Sequence, residues 1–127
     1  MVEDEFSNSG GRIVLVEDDD DVRRSLTLLL RARGFSVDVF RNGMELLSNR
    51  GLPQSDCILI DYKMPGLNGL ELMTKLRDAG VVTPALMITG FFSNTLLARA
   101  KAAGFSDVIE KPSLEQGLLN KIKMLVA

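Results

Sequence analysis

Five short apolar runs alternate with stretches of helical periodicity along the whole chain, and this rhythm leaves few folds open. "RIVLVE" (12–17) is apolar and β-branched, as a buried strand would be. Val22, Leu26, Leu29, Leu30 and Arg33 then recur at helical spacing within 19–33, and Gly34 supplies a stop. "FSVDVF" (35–40) alternates apolar with polar, which predicts a strand nearer a sheet edge. Asn42 with Glu45 predicts a capped helix running to about Arg50. "DCILID" (56–61) is the third strand. Asn68 with Glu71 caps the next helix, which Gly80 ends. "TPALMIT" (83–89) is the fourth strand, followed by a helix from about Ser93 to Ala103 that stops at Gly104. "DVI" (107–109) is a brief fifth strand. Ser113 with Gln116 opens a last helix carrying Leu114, Leu118, Ile122 and Leu125. Repeated β-α units with apolar central strands predict an α/β fold with a parallel sheet covered by helices on both faces. Right-handed crossovers favour a doubly wound topology.

A chain of 127 residues is most simply one domain with a real core, and no apolar stretch approaches the roughly 18 residues of a membrane span. The start, "MVEDEFSNSGG", is polar and acidic without the apolar segment of a signal peptide, so residues 1–10 read as a disordered acidic tail. Cys57 is the sole cysteine and lies inside an apolar run, where it reads as a small buried hydrophobe; without a disulfide framework the expected compartment is the cytoplasm. A net charge of −2 lacks the basic footprint of a nucleic-acid binder. The chain has no histidine, which excludes Ser-His and Cys-His catalysis, histidine metal sites and a phosphohistidine carrier.

Polar residues gather at one end of the strands, where open α/β sheets place their ligands. Strand one ends in Glu17-Asp18, followed by Asp19, Asp20 and Asp21. Strand three ends in Asp61, strand four in Thr89-Gly90, and Lys111-Pro112 follows strand five. Taken singly, each has a plain explanation: acids before a helix favour its dipole, an aspartate caps a turn, a lysine sits on the surface. Together they predict a site. Glu17, Asp18 and Asp61 on one rim repel unless protonated or neutralised, and Mg²⁺ suits one or two carboxylates, a carbonyl and several waters; Mn²⁺ would satisfy the same ligands. A carboxylate beside such a cation can act as a nucleophile toward phosphorus. The Lys111 ammonium, the Thr89 hydroxyl and a nearby amide would help neutralise the phosphoryl oxygens.

The succession VLVEDD, DYKMPGLNGLEL, MITG and EKP resembles the receiver domain of bacterial two-component response regulators, over about residues 11 to 126. The resemblance implies the CheY-like, flavodoxin-like fold, with strand order 2-1-3-4-5 and a receiver over 11–127. It implies that Asp61 is the phosphoacceptor, that Asp18 and Asp61 are direct Mg²⁺ ligands with the backbone carbonyl of Lys63, and that Glu17 acts through water. Thr89, with Gly90 beside it, matches the switch hydroxyl, and Lys111 the phosphate-contacting lysine, whose bond to Pro112 is usually cis in the family. The implied partner is a sensor histidine kinase or a histidine phosphotransfer protein. The implied output is dimerisation or partner binding through the last two helices and fifth strand. Such a domain accepts a phosphoryl group on itself and is not an enzyme acting on others.

"MPGLNGLEL" and "GFSDVIEKPS" look most like receivers of transcriptional regulators; an excised receiver and a single-domain regulator both fit. One position departs from the pattern. Three residues before the lysine the family usually has Tyr or Phe, and here stands Val108. Phe91 and Phe92 could compensate, although core and loop packing is the favoured reading for them. Two competing functions remain. A flavin or nucleotide binder would want a glycine-rich phosphate loop after strand one, where this chain has five consecutive acids. A receiver-like interaction module signalling without phosphorylation is kept open by Val108.

Overall fold

The computed structural model describes residues 11–49, 54–111 and 114–126. The tail expected at 1–10, the cis bond expected at Pro112 and the cap expected at Ser113 lie outside the described residues. Five strands, β1 (Arg12–Val16), β2 (Ser36–Phe40), β3 (Cys57–Asp61), β4 (Ala85–Thr89) and β5 (Asp107–Glu110), alternate with five helices. The helices are α1 (Asp20–Ala32), α2 (Gly43–Leu47), α3 (Gly69–Asp78), α4 (Asn94–Ala103) and α5 (Leu114–Val126). All strands pair in parallel in the order β2-β1-β3-β4-β5, so the expected doubly wound topology is the one found.

The period of two along each strand divides the core between the faces of the sheet. Ile13, Leu15, Cys57, Leu59, Leu86, Ile88 and Ile109 point to one side, where Leu26 and Leu30 of α1 and Leu118, Leu119 and Ile122 of α5 cover them. Val14, Val16, Ile58, Ile60, Ala85, Met87 and Val108 point to the other, against Leu46 of α2, Leu72, Met73 and Leu76 of α3, and Leu96 and Ala100 of α4. Strands buried on both faces can be apolar at every position, which is why β3 and β4 read as continuous runs. Strand β2, with its mixed pattern, is an edge strand as expected. Cys57 is fully buried, and burial pushes its thiol up to about 12.

Helix ends follow side-chain chemistry. Asn68 and Glu71 form a reciprocal capping box, each side chain accepting the other's N–H at 2.9 Å. Asn42 caps α2 in the same way, but Glu45 accepts from Arg41 N, and the helix ends at Leu47 rather than near Arg50. Gly104 closes α4 at φ 117°, a conformation that L side chains avoid. The Arg77 guanidinium occupies the space beside it, donating to Gly104 O at 2.8 Å and Val81 O at 2.9 Å.

Candidate functional site

Parallel pairing brings the strand ends level. Val16 lies opposite Ile60, Asp61 opposite Ile88, and Thr89 opposite Glu110. The residues just beyond these pairs therefore meet at one rim. Glu17, Asp18 and Asp61 each offer a carboxylate oxygen, and these oxygens lie within 4.8 Å of one another. Lys111 reaches in from the end of β5, its Nζ 3.2 Å from Asp61 Oδ1 and 3.4 Å from Glu17 Oε1. Asp61 is 3% exposed and Glu17 fully buried, while Asp18 is the most open of the three.

The acidic run after β1 divides its work. The Asp19 carboxylate accepts from Val22 N at 3.0 Å and caps α1, while Asp19 N donates to Glu17 Oε2 at 3.2 Å. Asp20 pairs with Arg23 and Asp21 with Arg24, one helical turn on. Only Glu17 and Asp18 turn toward Asp61.

Charge is unbalanced in this cluster. Three carboxylates face one ammonium, so full ionisation would leave an excess of two negative charges. Burial first, then the Glu17 carboxylate, then Asp18 push the Asp61 carboxyl up to about 8, against the pull of Lys111. Partial burial works to lower the Lys111 ammonium, but Asp61 and then Glu17 outweigh it, so Lys111 is held above the ordinary lysine range. Glu17 Oε1 is buried and accepts no hydrogen bond. One divalent cation would balance the excess and satisfy that oxygen, so the donor set fits a hard metal such as Mg²⁺.

Gly69, at the start of α3, determines how closely the loop after Asp61 folds back. Its N–H donates to Tyr62 O at 2.8 Å, and a Cβ here would lie 2.8 Å from Asp61 O. Backbone cannot yield as a flexible side chain can. We expect Gly69→Ala to cost about 1–3 kcal/mol in urea denaturation and to slow any chemistry at Asp61. Native stability in that variant would show that the loop has room to spare.

Thr89 is buried at the end of β4, and its Oγ1 accepts from Phe91 N at 3.0 Å. Gly90 follows it at the exposed rim. Lys63 lies in the loop after β3, with its ammonium 4.6 Å from the centre of the Phe91 ring. The packing role favoured for Phe91 and Phe92 is not what they adopt: they are 68% and 41% exposed. Val108 is buried in the core beneath α4. The sequence pattern singled out neither Gly69 nor Arg23, whose Nη1 donates to Glu17 O at 2.9 Å and reaches Asp18 O at 3.4 Å. Arginine six residues after Glu17, one turn into α1, is the signal that locates it.

Residues 13–123 match the family model of the response regulator receiver domain. The chain belongs to the receiver domain family. Among relatives, this receiver is 35% identical over 115 residues to the response regulator MprA of Mycobacterium leprae, covering 91% of this chain and 50% of that protein. It is 34% identical over 110 residues to nodulation protein W of Bradyrhizobium diazoefficiens, covering 87% of this chain and 48% of the relative. The receiver thus spans about half the length of the curated relatives it matches. In structure it is similar to the chemotaxis protein CheY4 of Vibrio cholerae, with a TM-score of 0.83 and 26% identity, covering 90% of this chain and 97% of that one. The rim of this receiver is an acidic pocket of the kind in which receiver domains bind Mg²⁺. Among the described residues, no helix is long and apolar enough to cross a membrane.

Proposed function

We propose that Asp61 accepts a phosphoryl group from a partner histidine kinase, or from a histidine phosphotransfer protein, in a Mg²⁺-dependent reaction within a cytoplasmic signalling pathway. The observation that carries this reading is the placement of Asp61, a buried carboxylate 3.2 Å from Lys111 Nζ and within one cluster with Glu17 and Asp18. An ionised Asp61 oxygen forms a bond to phosphorus as the bond from phosphorus to the donor's imidazole nitrogen breaks. That nitrogen keeps the electron pair, and because the donor's other ring nitrogen carries a proton the donor leaves as neutral imidazole, while the three phosphoryl oxygens move with phosphorus. Lys111 receives one of those oxygens, and the Thr89 hydroxyl with the Gly90 amide a second. Bound by Asp18, Asp61 and the Lys63 carbonyl, with Glu17 acting through water, Mg²⁺ would supply positive charge against the growing charge on the phosphoryl group. The domain over 11–127 modifies only itself.

Output would pass through the surface of α4, β5 and α5 to a partner or a second copy. In the described arrangement the Thr89 hydroxyl is engaged by Phe91 N–H, and Val108 offers no ring to move with it. Coupling should therefore fall low in the usual range of about 1–3 kcal/mol. We expect phosphorylation to change self-association by about tenfold or less, read by sedimentation equilibrium of the phosphorylated and unphosphorylated chain. A hundredfold change would show that Val108 is no handicap.

A second reading, an interaction module that signals without phosphate, is favoured only by Val108 and the exposed Phe91 and Phe92. Incubation with acetyl phosphate and Mg²⁺, followed by intact mass and peptide mapping, separates the two. A gain of one phosphoryl group on Asp61, abolished by chelator, supports the acceptor. No gain, or a gain mapped elsewhere, overturns it.

A further inference from the structure

We infer that Arg23 is a positioning residue for divalent-cation binding, holding the backbone of Glu17 and Asp18 from behind so that both carboxylates meet Asp61. The inference rests on the metal-dependent reading above. Strand β1 ends at Val16, and Glu17 N still donates to Phe40 O at 3.1 Å. From Asp19 onward the chain is governed by the α1 cap. Between these anchors the carbonyls of Glu17 and Asp18 lie past the end of the ladder, where a buried carbonyl needs a donor from elsewhere. Arg23 supplies it, with Nη1 2.9 Å from Glu17 O and 3.4 Å from Asp18 O. Its Nη2 pairs with Asp20, which fixes the plane of the guanidinium.

An ordinary surface ion pair would not look like this. The Arg23 side chain is 16% exposed, against 70% for Arg24, which makes the equivalent pair with Asp21 on the same helix. The largely buried guanidinium reaches two backbone acceptors and one carboxylate at once, a fork that lysine cannot reproduce. Asp and Glu side chains are short, so a shift of the 17–18 backbone passes directly to the oxygens that converge within 4.8 Å. Groups that orient metal ligands in this way typically change affinity by 10–100-fold when removed.

Arg23→Lys retains the positive charge and so isolates the geometry. Arg77→Lys is the matched control, because Arg77 also holds two carbonyls, those of Val81 and Gly104, on elements away from the acidic rim. Mg²⁺ dissociation constants are measured by calorimetry for the native chain and both variants, alongside their metal-free denaturation midpoints. Both variants should lose stability. Only Arg23→Lys should bind Mg²⁺ about tenfold more weakly or worse. Binding by Arg23→Lys within about twofold of native, or equal weakening in Arg77→Lys, would overturn the assignment, since a merely structural role predicts one of these. A native chain that binds no Mg²⁺ overturns it together with the metal-dependent reading. A native chain that binds Mg²⁺ yet takes no phosphoryl group sinks the acceptor reading, and weakened binding in Arg23→Lys would still support the role of Arg23.

Discussion

Asp61→Asn is expected to be inert as a phosphoacceptor and more stable than the native chain. The carboxamide fills the same space but is no nucleophile, so labelling by acetyl phosphate should vanish. Its neutrality also removes the repulsion from Glu17 and Asp18 and the cost of burying a third carboxylate. Without metal at pH 7.5 to 8, the gain should be about 1–2 kcal/mol, smaller than the displacement of the carboxyl alone suggests because Asp18 leaves one side of the cluster open to water. The sign follows from proton counting. Burial and its acidic neighbours push the Asp61 carboxyl up to about 8 in the folded chain, against an ordinary 3.8 when unfolded, so between these values the folded chain holds a proton that the unfolded chain has released. The stability contributed by neutral Asp61 is full below about pH 4 and is lost as pH rises through about 8. Denaturation midpoints across this window, in chelator, should fall with pH in the native chain and less steeply in Asp61→Asn. Parallel profiles, or undiminished labelling, would remove Asp61 from the centre of the site.

The second large effect is on metal binding. Saturating Mg²⁺ should raise native stability by about 2.7 kcal/mol at a hundredfold excess over its dissociation constant. Asp18→Ala should lose most of that response, because Asp18 is the carboxylate through which the cluster opens to solvent. Asp19, Asp20 and Asp21 offer no ready substitute: one caps α1 and the other two are paired with arginines. A thermal shift of native size in Asp18→Ala would place the cation elsewhere.

Topology and rim were legible because both depend on local pattern. Continuous apolar runs predicted β3 and β4 as central strands, and the carboxylates and lysine terminating successive strands predicted a shared site. What stayed hidden depends on distance in space. Residue type does not distinguish Arg23 from Arg24, yet one is largely buried against carbonyls and the other solvated. Gly69 looks like any glycine at a helix start until Asp61 O is found 2.8 Å from its missing Cβ. Phe91 and Phe92 carry the composition of a core but follow the last residue of β4, where the chain leaves the sheet and the aromatic rings face water. The shortened α2 has the same kind of cause, since Glu45 turns back to Arg41.

Cys57 gives this chain a built-in clock. It is the only cysteine, it is fully buried in the central strand of the sheet, and its thiol is pushed up to about 12. A thiol reagent can reach it only when β3 opens, an event that belongs to the global end of the stability range rather than to fraying. The rate of its modification therefore counts whole-molecule openings, with no dye or tag added. The same silence in the closed state leaves the surface free for a single reporter cysteine to be introduced at any exposed position.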